Sequence, residues 1–366
     1  MRRRPLFSSS ALLAAMALAA RLHAAEATRT LTLELSPETA GPFVVENLVG
    51  TMRVVPGKGP KVVATATIHA ESDALVRKMD FRQVTGEKGL PTLRVEYPIG
   101  NHETVRYPHA SEGETHGFLG QFFGGTSTLK YAGMTVKVSG SDGVVLYADV
   151  VVQVPSKGVE ATIRNHVGRI DGEGIQGKFL FDSASGDVNL DKVKGNIKVD
   201  TGSGDVKAAT LEGAFHCDTG SGNCTLTGFK GDEISCDVGS GDIRLKSVAA
   251  RLLSADTGSG DIRVEDADVE SFDADTGSGN VFLESPGAKL VSIKADTGSG
   301  YVVLRLAPEA SFEALADQGS GDLRVSYKDA QPIVKGREVI GYRRGDSKIH
   351  INVNTGSGDL DIEPAR

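Results

Sequence analysis

A hexad of the form Asp-Thr-Gly-Ser-Gly-Asp, with close variants, occurs nine times in this chain. Successive copies begin 18, 18, 19, 19, 19, 21, 21 and 37 residues apart. The copies begin at Asp182, Asp200, Asp218, Asp237, Asp256, Asp275, Asp296, Asp317 and Asn354. A repeat of about 19 residues is too short to bury a hydrophobic face alone, so each copy has to pack against its neighbours. The hexads therefore require a fold made of stacked repeats.

The segments on either side of each hexad alternate between apolar and polar residues. Ile197 and Val199 precede one hexad corner, and Val206 follows it, with charged residues between them. Period-2 alternation is typical of strands that bury one face. The Gly-Ser-Gly element is expected to supply the unusual backbone angles of a tight corner. We predict an all-β chain whose residues 159–362 form a parallel β-solenoid (β-helix) of about 18–21-residue rungs.

The rest of the chain is less regular. Residues 26–158 read as a β-rich N-terminal region, with one short helix expected within residues 71–79. A Gly- and His-rich segment at about residues 98–133 lacks a strand pattern and is expected to be a flexible or lid-like insertion. Within the solenoid, residues 328–348 are predicted to be a loop insertion, after which residues 349–364 form the last rung or cap.

The first 25 residues have the pattern of a cleavable export signal. Arg2, Arg3 and Arg4 precede a short apolar run at Ala11–Ala20, which is too short to span a membrane. No second apolar stretch of spanning length follows, so the mature chain is expected to lack a transmembrane segment and to be periplasmic or secreted. The formal net charge is −8, and losing the four arginines of the signal changes it to −12. Such an acidic protein is not expected to bind nucleic acid.

The Asp-Thr-Gly tripeptide also occurs around the catalytic residues of aspartic proteases. Those enzymes need two such loops facing each other, so that two carboxylates share one proton. Tandem copies at solenoid spacing would instead form a row, which argues against a protease. No Walker loop, nucleophile elbow or His-Glu-x-x-His motif is present. No catalytic or cofactor-binding residue is predicted.

The first and last residues of the hexads are predicted to form two outward-facing acidic columns. Calcium could relieve the repulsion between like charges at rung spacing. Alternatively, the aspartates could accept hydrogen bonds from corner amides, and a basic column at Lys207, Arg244, Arg263 and Arg324 lies beside the second acidic column. The calcium candidates are Asp200, Asp205, Asp237, Asp242, Asp256 and Asp261. Calcium is the cofactor that the hexads leave open.

Three cysteines lie in the columns that are expected to face the core. Cys217 and Cys236 occupy equivalent positions on adjacent rungs, where a disulfide is sterically allowed and export would permit it. Buried free thiols are the alternative. Cys224 lies across the corner, and because three is an odd number, at least one thiol is free or pairs between chains.

Three further motifs carry weaker hypotheses. His102, His109 and His116 lie near acidic residues in the insertion and could bind zinc or copper, although their spacing matches no recognised site. The segment Gly117–Gly125 is apolar and could be a hydrophobic contact surface. The tripeptide at Arg344–Asp346 matches an integrin-binding sequence but is short enough to occur by chance.

The hexads, together with "VENLVGTMRVV" (Val45–Val55) and "VQVPSKGVEATIRNHVGRIDGEG" (Val152–Gly174), resemble the bacterial putative-adhesin family. The resemblance covers about residues 44–362 and implies a domain of unknown function built on β-solenoid rungs. It implies no catalytic residues. This chain departs from the simplest members in its two insertions, at residues 98–133 and 328–348.

Two classes of function follow. The first is a non-catalytic envelope or secreted scaffold that binds a protein or a cell-surface glycan. The second is a β-helix enzyme acting on acidic polysaccharide, which would need an exposed groove with a base beside clustered carboxylates. A calcium-binding repeat protein is a further hypothesis. The sequence does not determine the oligomeric state.

Overall fold

A computed structural model describes residues 26–35, 41–101, 104–108, 126–317 and 319–365. Within them the chain is almost entirely β, with one short α-helix and two short 3-10 turns, at Glu87–Gly89 and Ile99–Asn101. The helix, α1 (Asp73–Val76), is capped by the Ser72 hydroxyl and confirms the predicted short helix. The predicted export signal lies outside the described residues.

Ten strands precede the regular repeats. They are β1 (Ala27–Leu35), β2 (Phe43–Val49), β3 (Met52–Pro56), β4 (Val62–Ala70), β5 (Asp80–Thr85), β6 (Pro91–Glu96), β7 (Thr104–Arg106), β8 (Thr126–Tyr131), β9 (Met134–Ser139) and β10 (Val144–Val154). Strands β7 and β8 lie inside residues 98–133, so the expectation that this segment lacks strands is wrong where it is described. Both pair with β9.

Fourteen strands form the repeating part of the chain. They are β11 (Val159–Val167), β12 (Ile170–Glu173), β13 (Gln176–Ser183), β14 (Val188–Asp191), β15 (Lys194–Ser203), β16 (Val206–Ser221), β17 (Cys224–Val238), β18 (Ile243–Thr257), β19 (Ile262–Thr276), β20 (Val281–Ser285), β21 (Ser292–Thr297), β22 (Val302–Leu306), β23 (Phe312–Asp317) and β24 (Leu323–Val325). Strands β16 to β19 each run from one Gly-Ser-Gly corner to the next. We call the surface before each corner the pre-corner face and the surface after it the post-corner face.

Successive rungs pair in parallel and in register. On the pre-corner face, Val199 pairs with Cys217, which pairs with Cys236. On the post-corner face, Cys224 pairs with Ile243, which pairs with Ile262. These residues are buried, so the predicted inward columns form one continuous core. The prediction of an all-β, solenoid-like stack of parallel strands is confirmed, and the stack is an open sheet rather than a closed barrel.

The corner glycines are required by close stacking. A Cβ atom on Gly241, Gly260 or Gly279 would lie 2.0, 1.9 or 1.8 Å from the carbonyl oxygen of the equivalent glycine one rung earlier. None of these three residues has a left-handed φ angle. At these three positions the missing side chain is what matters, whereas the expected unusual backbone angles occur at the corner glycines Gly204 and Gly319, with φ values of 157° and 52°.

In the hexads that contain threonine, this residue faces inward, as expected, and its hydroxyl hydrogen-bonds the corner. The Thr276 hydroxyl donates to the Gly260 carbonyl oxygen at 2.9 Å and accepts from the Gly279 amide at 3.0 Å. Thr257 and Thr297 donate in the same way to the glycines one rung earlier. Buried backbone amide and carbonyl groups need hydrogen-bond partners, and the inward threonine hydroxyl provides them at these corners.

On the five successive rungs from Lys192 to Asp266, a second bend after the post-corner residues lies at a residue with left-handed backbone angles. The residues are Lys192, Thr210, Gly228, Ser247 and Asp266, with φ values of 54°, 55°, 77°, 53° and 53°. Non-glycine residues rarely adopt this region, so its recurrence at equivalent positions shows that the bend geometry is imposed by the stack.

The N-terminal region adds a rung to the solenoid. Strands β2 and β3 pair in parallel with β11 and β12, so that Val45 lies beside Ile163 and Met52 beside Ile170. The stack continues through β6 on one face and through β10, β4 and β1 on the other. The boundary drawn at residue 158 falls between β10 and β11, which belong to one continuous sheet.

The C-terminal end differs from the expected order. Residues 328–348 contain an antiparallel hairpin, β25 (Gln331–Lys335) and β26 (Glu338–Arg344), rather than a loop. After it, β27 (Ile349–Thr355) and β28 (Leu360–Pro364) enter the stack one place before the end. Strand β27 pairs with β21 on one side and with β23 on the other, and β28 lies between β22 and β24 in the same way. The expectation that residues 349–364 form the last rung is wrong, because β23 and β24 lie beyond β27 and β28 in the stack.

Candidate functional site

The first residues of the hexads form a column on the pre-corner face, as predicted. Register pairing places them side by side in the order Asp182, Asp200, Asp218, Asp237, Asp256, Asp275, Asp296, Asn354 and Asp317. Neighbouring strands lie about 4.8 Å apart, so adjacent carboxylates are close enough to repel. We call this set the leading column.

The charge of the leading column is balanced only at its N-terminal end. Arg94 pairs with Glu46 at 2.6 Å, and Arg164 pairs with Asp182 at 2.7 Å. Burial and the carboxylates of Asp182 and Asp218 raise the pKa of Asp200. Among the described residues, no ion pair is formed by the aspartates from Asp200 to Asp296. The leading column is therefore a negatively charged stripe.

The last residues of the hexads form a second column with a different role. The Asp242 carboxylate oxygen Oδ1 accepts the backbone N–H of Asp261 at 2.8 Å, and the Asp261 Oδ1 accepts the backbone N–H of Asn280 at 2.8 Å. The Asp205 Oδ1 accepts the backbone N–H of Asn223 at 3.0 Å in the same way. Since asparagine also accepts through its side-chain oxygen, Asn223 and Asn280 continue this series of hydrogen bonds from side chain to backbone amide, which we call the amide ladder.

The six calcium candidates thus lie in two environments. Asp205, Asp242 and Asp261 bind corner amides, and Arg244 occupies the second carboxylate oxygen of Asp242 at 2.5 Å. The other three, Asp200, Asp237 and Asp256, belong to the leading column. Over the described part of the chain, no group of three potential metal-ligating side chains is close enough to hold an ion. Calcium binding stays a prediction.

The three cysteines are buried free thiols. Cys217 and Cys236 are in register on adjacent rungs, as predicted. The sulfur of Cys236, however, lies 3.5 Å from that of Cys224, which reaches it from across the corner. Burial in an apolar core contributes to raising the pKa of all three thiols, and none is accessible to a substrate.

A cleft of about 570 Å³ lies on the post-corner face, near the N-terminal end of the stack. Its polar lining comprises Arg53, Arg169, Asp171, Glu173, Asn189, Asp191, Lys207, Thr225 and Thr227. Gly172, Leu190, Ala208 and Ala209 form an apolar floor. The polar groups are held in place by hydrogen bonds, and we call this feature the post-corner cleft.

Charged pairs organise the post-corner cleft. Arg169 Nε donates to an Asp171 carboxylate oxygen at 2.9 Å, and Asn189 Nδ2 donates to the other oxygen at 3.1 Å. Arg53 pairs with Glu173 at 2.9 Å. The cleft therefore presents fixed donors and acceptors at a surface that is open to solvent.

Small side chains explain why the cleft lies there. The small residue of the outward column is Thr225, which lies between Lys207 and Arg244. On the later rungs the long side chains of Arg244 and Arg263 cover the same face. Ala209 is likewise in register with Thr227. No sequence motif predicts this site, although the interruption of the basic column by Thr225 is a visible signal.

A polar cluster lies at the N-terminal end of the stack. His69 Nε2 lies 3.3 Å from an Asp149 oxygen, and its Nδ1 lies 3.8 Å from Glu26. Asp149 also accepts hydrogen bonds from the amide and hydroxyl of Thr51 at 2.9 and 2.6 Å. Burial alone would raise the pKa of Asp149, but the hydrogen bonds from His69 and Thr51 outweigh it and lower that pKa.

The remaining sequence candidates fall in two groups. His102, His109, His116 and the apolar segment at Gly117–Gly125 lie outside the described residues. Arg344 of the integrin-like tripeptide is held by Asp329 at 2.7 Å and stacks over a tyrosine ring. This side chain is only 16% exposed, which opposes its recognition by a partner.

The stacked parallel rungs define a repeat protein with a solenoid-like core. The chain belongs to the Toastrack DUF4097 family, whose model matches residues 150–363, more than half of its length. Within the described residues, no helix is long and apolar enough to cross a membrane.

Two solved structures are similar over most of their length. One is described as a putative cell adhesion protein from Clostridium sporogenes, with 12% identity, a TM-score of 0.18, and coverage of 93% of this chain and 100% of the other. The second is described as a putative lipid binding protein from Parabacteroides distasonis, with 14% identity, a TM-score of 0.40, and coverage of 91% and 96%. At these scores neither supports a functional argument. No curated protein matches the chain.

Proposed function

We propose that this protein is an exported, non-catalytic scaffold of the adhesin type, which binds a cell-surface glycan in the post-corner cleft. The observation that carries the proposal is the cleft itself, where donors and acceptors alternate above a small apolar floor. The leading column and the amide ladder are repeated along the whole stack. The cleft, in contrast, occurs where the repeat is interrupted.

The lining favours a polar ligand over a protein hot spot. Protein interfaces depend on buried aromatic and large apolar anchors, whereas Arg53, Lys207, Asp171 and Asn189 offer hydrogen-bonding groups. Hydroxyl-rich sugars can both donate to the carboxylates and accept from the cations. The mixed charge of the lining suits a neutral or zwitterionic glycan better than a polyanion.

Binding can be tested with matched substitutions on one face. Lys207 and Arg263 lie in the same outward column, but only Lys207 lines the cleft. Binding of the purified chain to an array of bacterial and host glycans should identify a ligand. Lys207→Ala and Asn189→Ala should each weaken it about 10-fold, the loss expected for one hydrogen bond to a charged or polar group. Arg263→Ala should change it less than about 2-fold. Equal effects of all three would refute the cleft as the site.

A second function is favoured by one specific observation. The cleft brings Arg169 within 2.9 Å of Asp171 and holds further carboxylates nearby, the combination that an enzyme acting on acidic polysaccharide would need. An arginine held by a carboxylate is protonated and is a poor base, which is why we favour binding. Incubation with acidic polysaccharides, followed by measurement of new reducing ends and unsaturated products, distinguishes the two. Turnover that Asp171→Asn abolishes would replace the scaffold proposal.

Export and calcium binding have separate tests. Protein recovered from the periplasm or the medium should begin near Glu26, as determined by N-terminal sequencing. Recovery from the cytoplasm with an intact N-terminus would contradict export. A melting temperature that rises with calcium and falls with chelator, and that loses this response in Asp237→Asn with Asp256→Asn, would support an ion on the leading column.

A further inference from the structure

Three thiols meet inside the solenoid at one corner. Cys224 follows the corner on the post-corner face, and its sulfur lies 3.5 Å from the sulfur of Cys236 on the next rung. Cys217 is in register with Cys236 on the adjacent rung and also lies in the core. Among these thiols the sulfur contact joins Cys224 and Cys236, and all three side chains are at most 3% exposed.

We propose that Cys224 and Cys236 form a disulfide in the mature protein, leaving Cys217 as the free thiol. The bond would join the pre-corner and post-corner faces through the core. This pairing differs from the one suggested by register alone, which links Cys217 and Cys236 along one face. The two sulfurs need to approach by roughly 1.5 Å to reach a bond length of about 2.05 Å. In its biological setting the proposal rests on export, since an oxidising compartment is required.

The chemistry is a thiol–disulfide exchange during folding, before the core closes. One thiolate attacks a disulfide donor, either an oxidoreductase or glutathione disulfide, and forms a mixed disulfide. The second thiolate then displaces the donor. In total the two cysteines lose two protons and two electrons, and the donor is reduced to two thiols. Because the thiols are buried afterwards, the bond would be shielded from reductants.

The consequence is a covalent link across one corner in the middle of the stack. The loop closed between Cys224 and Cys236 is short, and such a link mainly restricts the unfolded chain. We expect the oxidised protein to melt about 5 °C above the reduced one. Repeat proteins can open locally between rungs, and this staple would resist opening at that corner.

Tryptic peptides show whether Cys236 is cross-linked to one of the other two cysteines. Cys217 and Cys224 lie together in the peptide Ala208–Lys230, and Cys236 lies in the peptide Gly231–Arg244. The purified full chain is unfolded, refolded with glutathione and glutathione disulfide, alkylated and digested without reduction. The expected product is a cross-link between the two peptides with one alkylated cysteine. This measurement does not depend on where the protein is located in the cell, so export and the pairing fail separately.

Two substitutions identify the disulfide partner of Cys236, and each introduces a residue that occurs at the equivalent position of another rung. Alanine occurs at the position of Cys217 on later rungs, such as Ala255, and valine occurs at the position of Cys224 on another rung, as Val206. Cys217→Ala should keep the cross-link, whereas Cys224→Val should abolish it and melt at the temperature of the reduced wild type. A cross-link that survives in Cys224→Val, or three alkylated cysteines in the oxidised wild type, would overturn the proposal.

Discussion

Replacing one corner glycine by alanine tests the stacking of the rungs most directly. In Gly260→Ala, the new Cβ would lie 1.9 Å from the Gly241 carbonyl oxygen and 2.4 Å from the Gly241 carbonyl carbon. Both are backbone atoms, so no flexible side chain can move aside. The two rungs have to separate locally by more than 1 Å, a change comparable to overpacking a core.

The magnitude follows from what that separation breaks. Overpacking costs about 1–3 kcal/mol in the free energy of unfolding. Separation also weakens the hydrogen bonds from Thr257 to Gly241 at 2.8 Å and from the Asp261 amide to Asp242 at 2.8 Å, each worth about 1 kcal/mol. We therefore expect Gly260→Ala to lower the free energy of unfolding by about 3–5 kcal/mol.

Two control substitutions separate the effect of close backbone stacking from the effect of changing a residue's intrinsic conformational preference. Ser259→Ala changes an exposed residue of the same corner, and Gly59→Ala adds a Cβ where no atom lies within 4 Å. Both should stay within about 0.5 kcal/mol of the wild type in urea unfolding followed by circular dichroism. If Gly260→Ala also stays within that range, the corners are not held by close backbone contact and the reasoning is wrong.

Three further predictions follow from the same structure. Thr276→Val should lower the free energy of unfolding by about 1–2 kcal/mol, because it leaves the Gly260 carbonyl and the Gly279 amide without their partner; no loss in urea unfolding would contradict this. Unfolding should become easier as the pH falls below about 5, since the lowered pKa values of Glu46 and Asp149 mean that their stabilisation is present above the unfolded-state pKa and is lost on acidification; a flat melting temperature from pH 6 to pH 3 would refute it. Deleting residues 346–366 should expose β21 and β23 to hydrogen exchange while leaving β16 protected, and equal protection of all three would show that the inserted rung is not needed.

Much of this architecture could be read from the repeat. The alternation around Val199 and Val206 assigns the inner face of each strand, and the constant spacing of the hexads predicts parallel stacking in register. The inward threonines and the leading column follow from the same period. These features depend on local patterns, and each rung meets the same pattern in its neighbour.

For the last residues of the hexads, the sequence allowed two interpretations, calcium binding and hydrogen bonding to corner amides. Aspartate and asparagine at positions such as Asp242 and Asn280 could have bound ions or amides. The observed contact joins Asp261 Oδ1 to the backbone of the next rung, a partner 19 residues away. Only the stacked structure shows that asparagine can replace aspartate there, because both accept through Oδ1.

The sequence by itself determined the strands of the repeats, their buried faces and their corners, because alternation and glycine placement act over a few residues. The tertiary structure alone decided which rung lies next to which at the two ends. Strand β27 inserts between β21 and β23, and β2 stacks on β11 although 118 residues separate Val45 from Ile163. Every rung offers the same row of backbone donors and acceptors, so pairing alone cannot select a neighbour. The post-corner cleft, the hairpin and the sulfur contact of Cys224 all depend on that long-range choice and on side-chain packing, which no local pattern encodes.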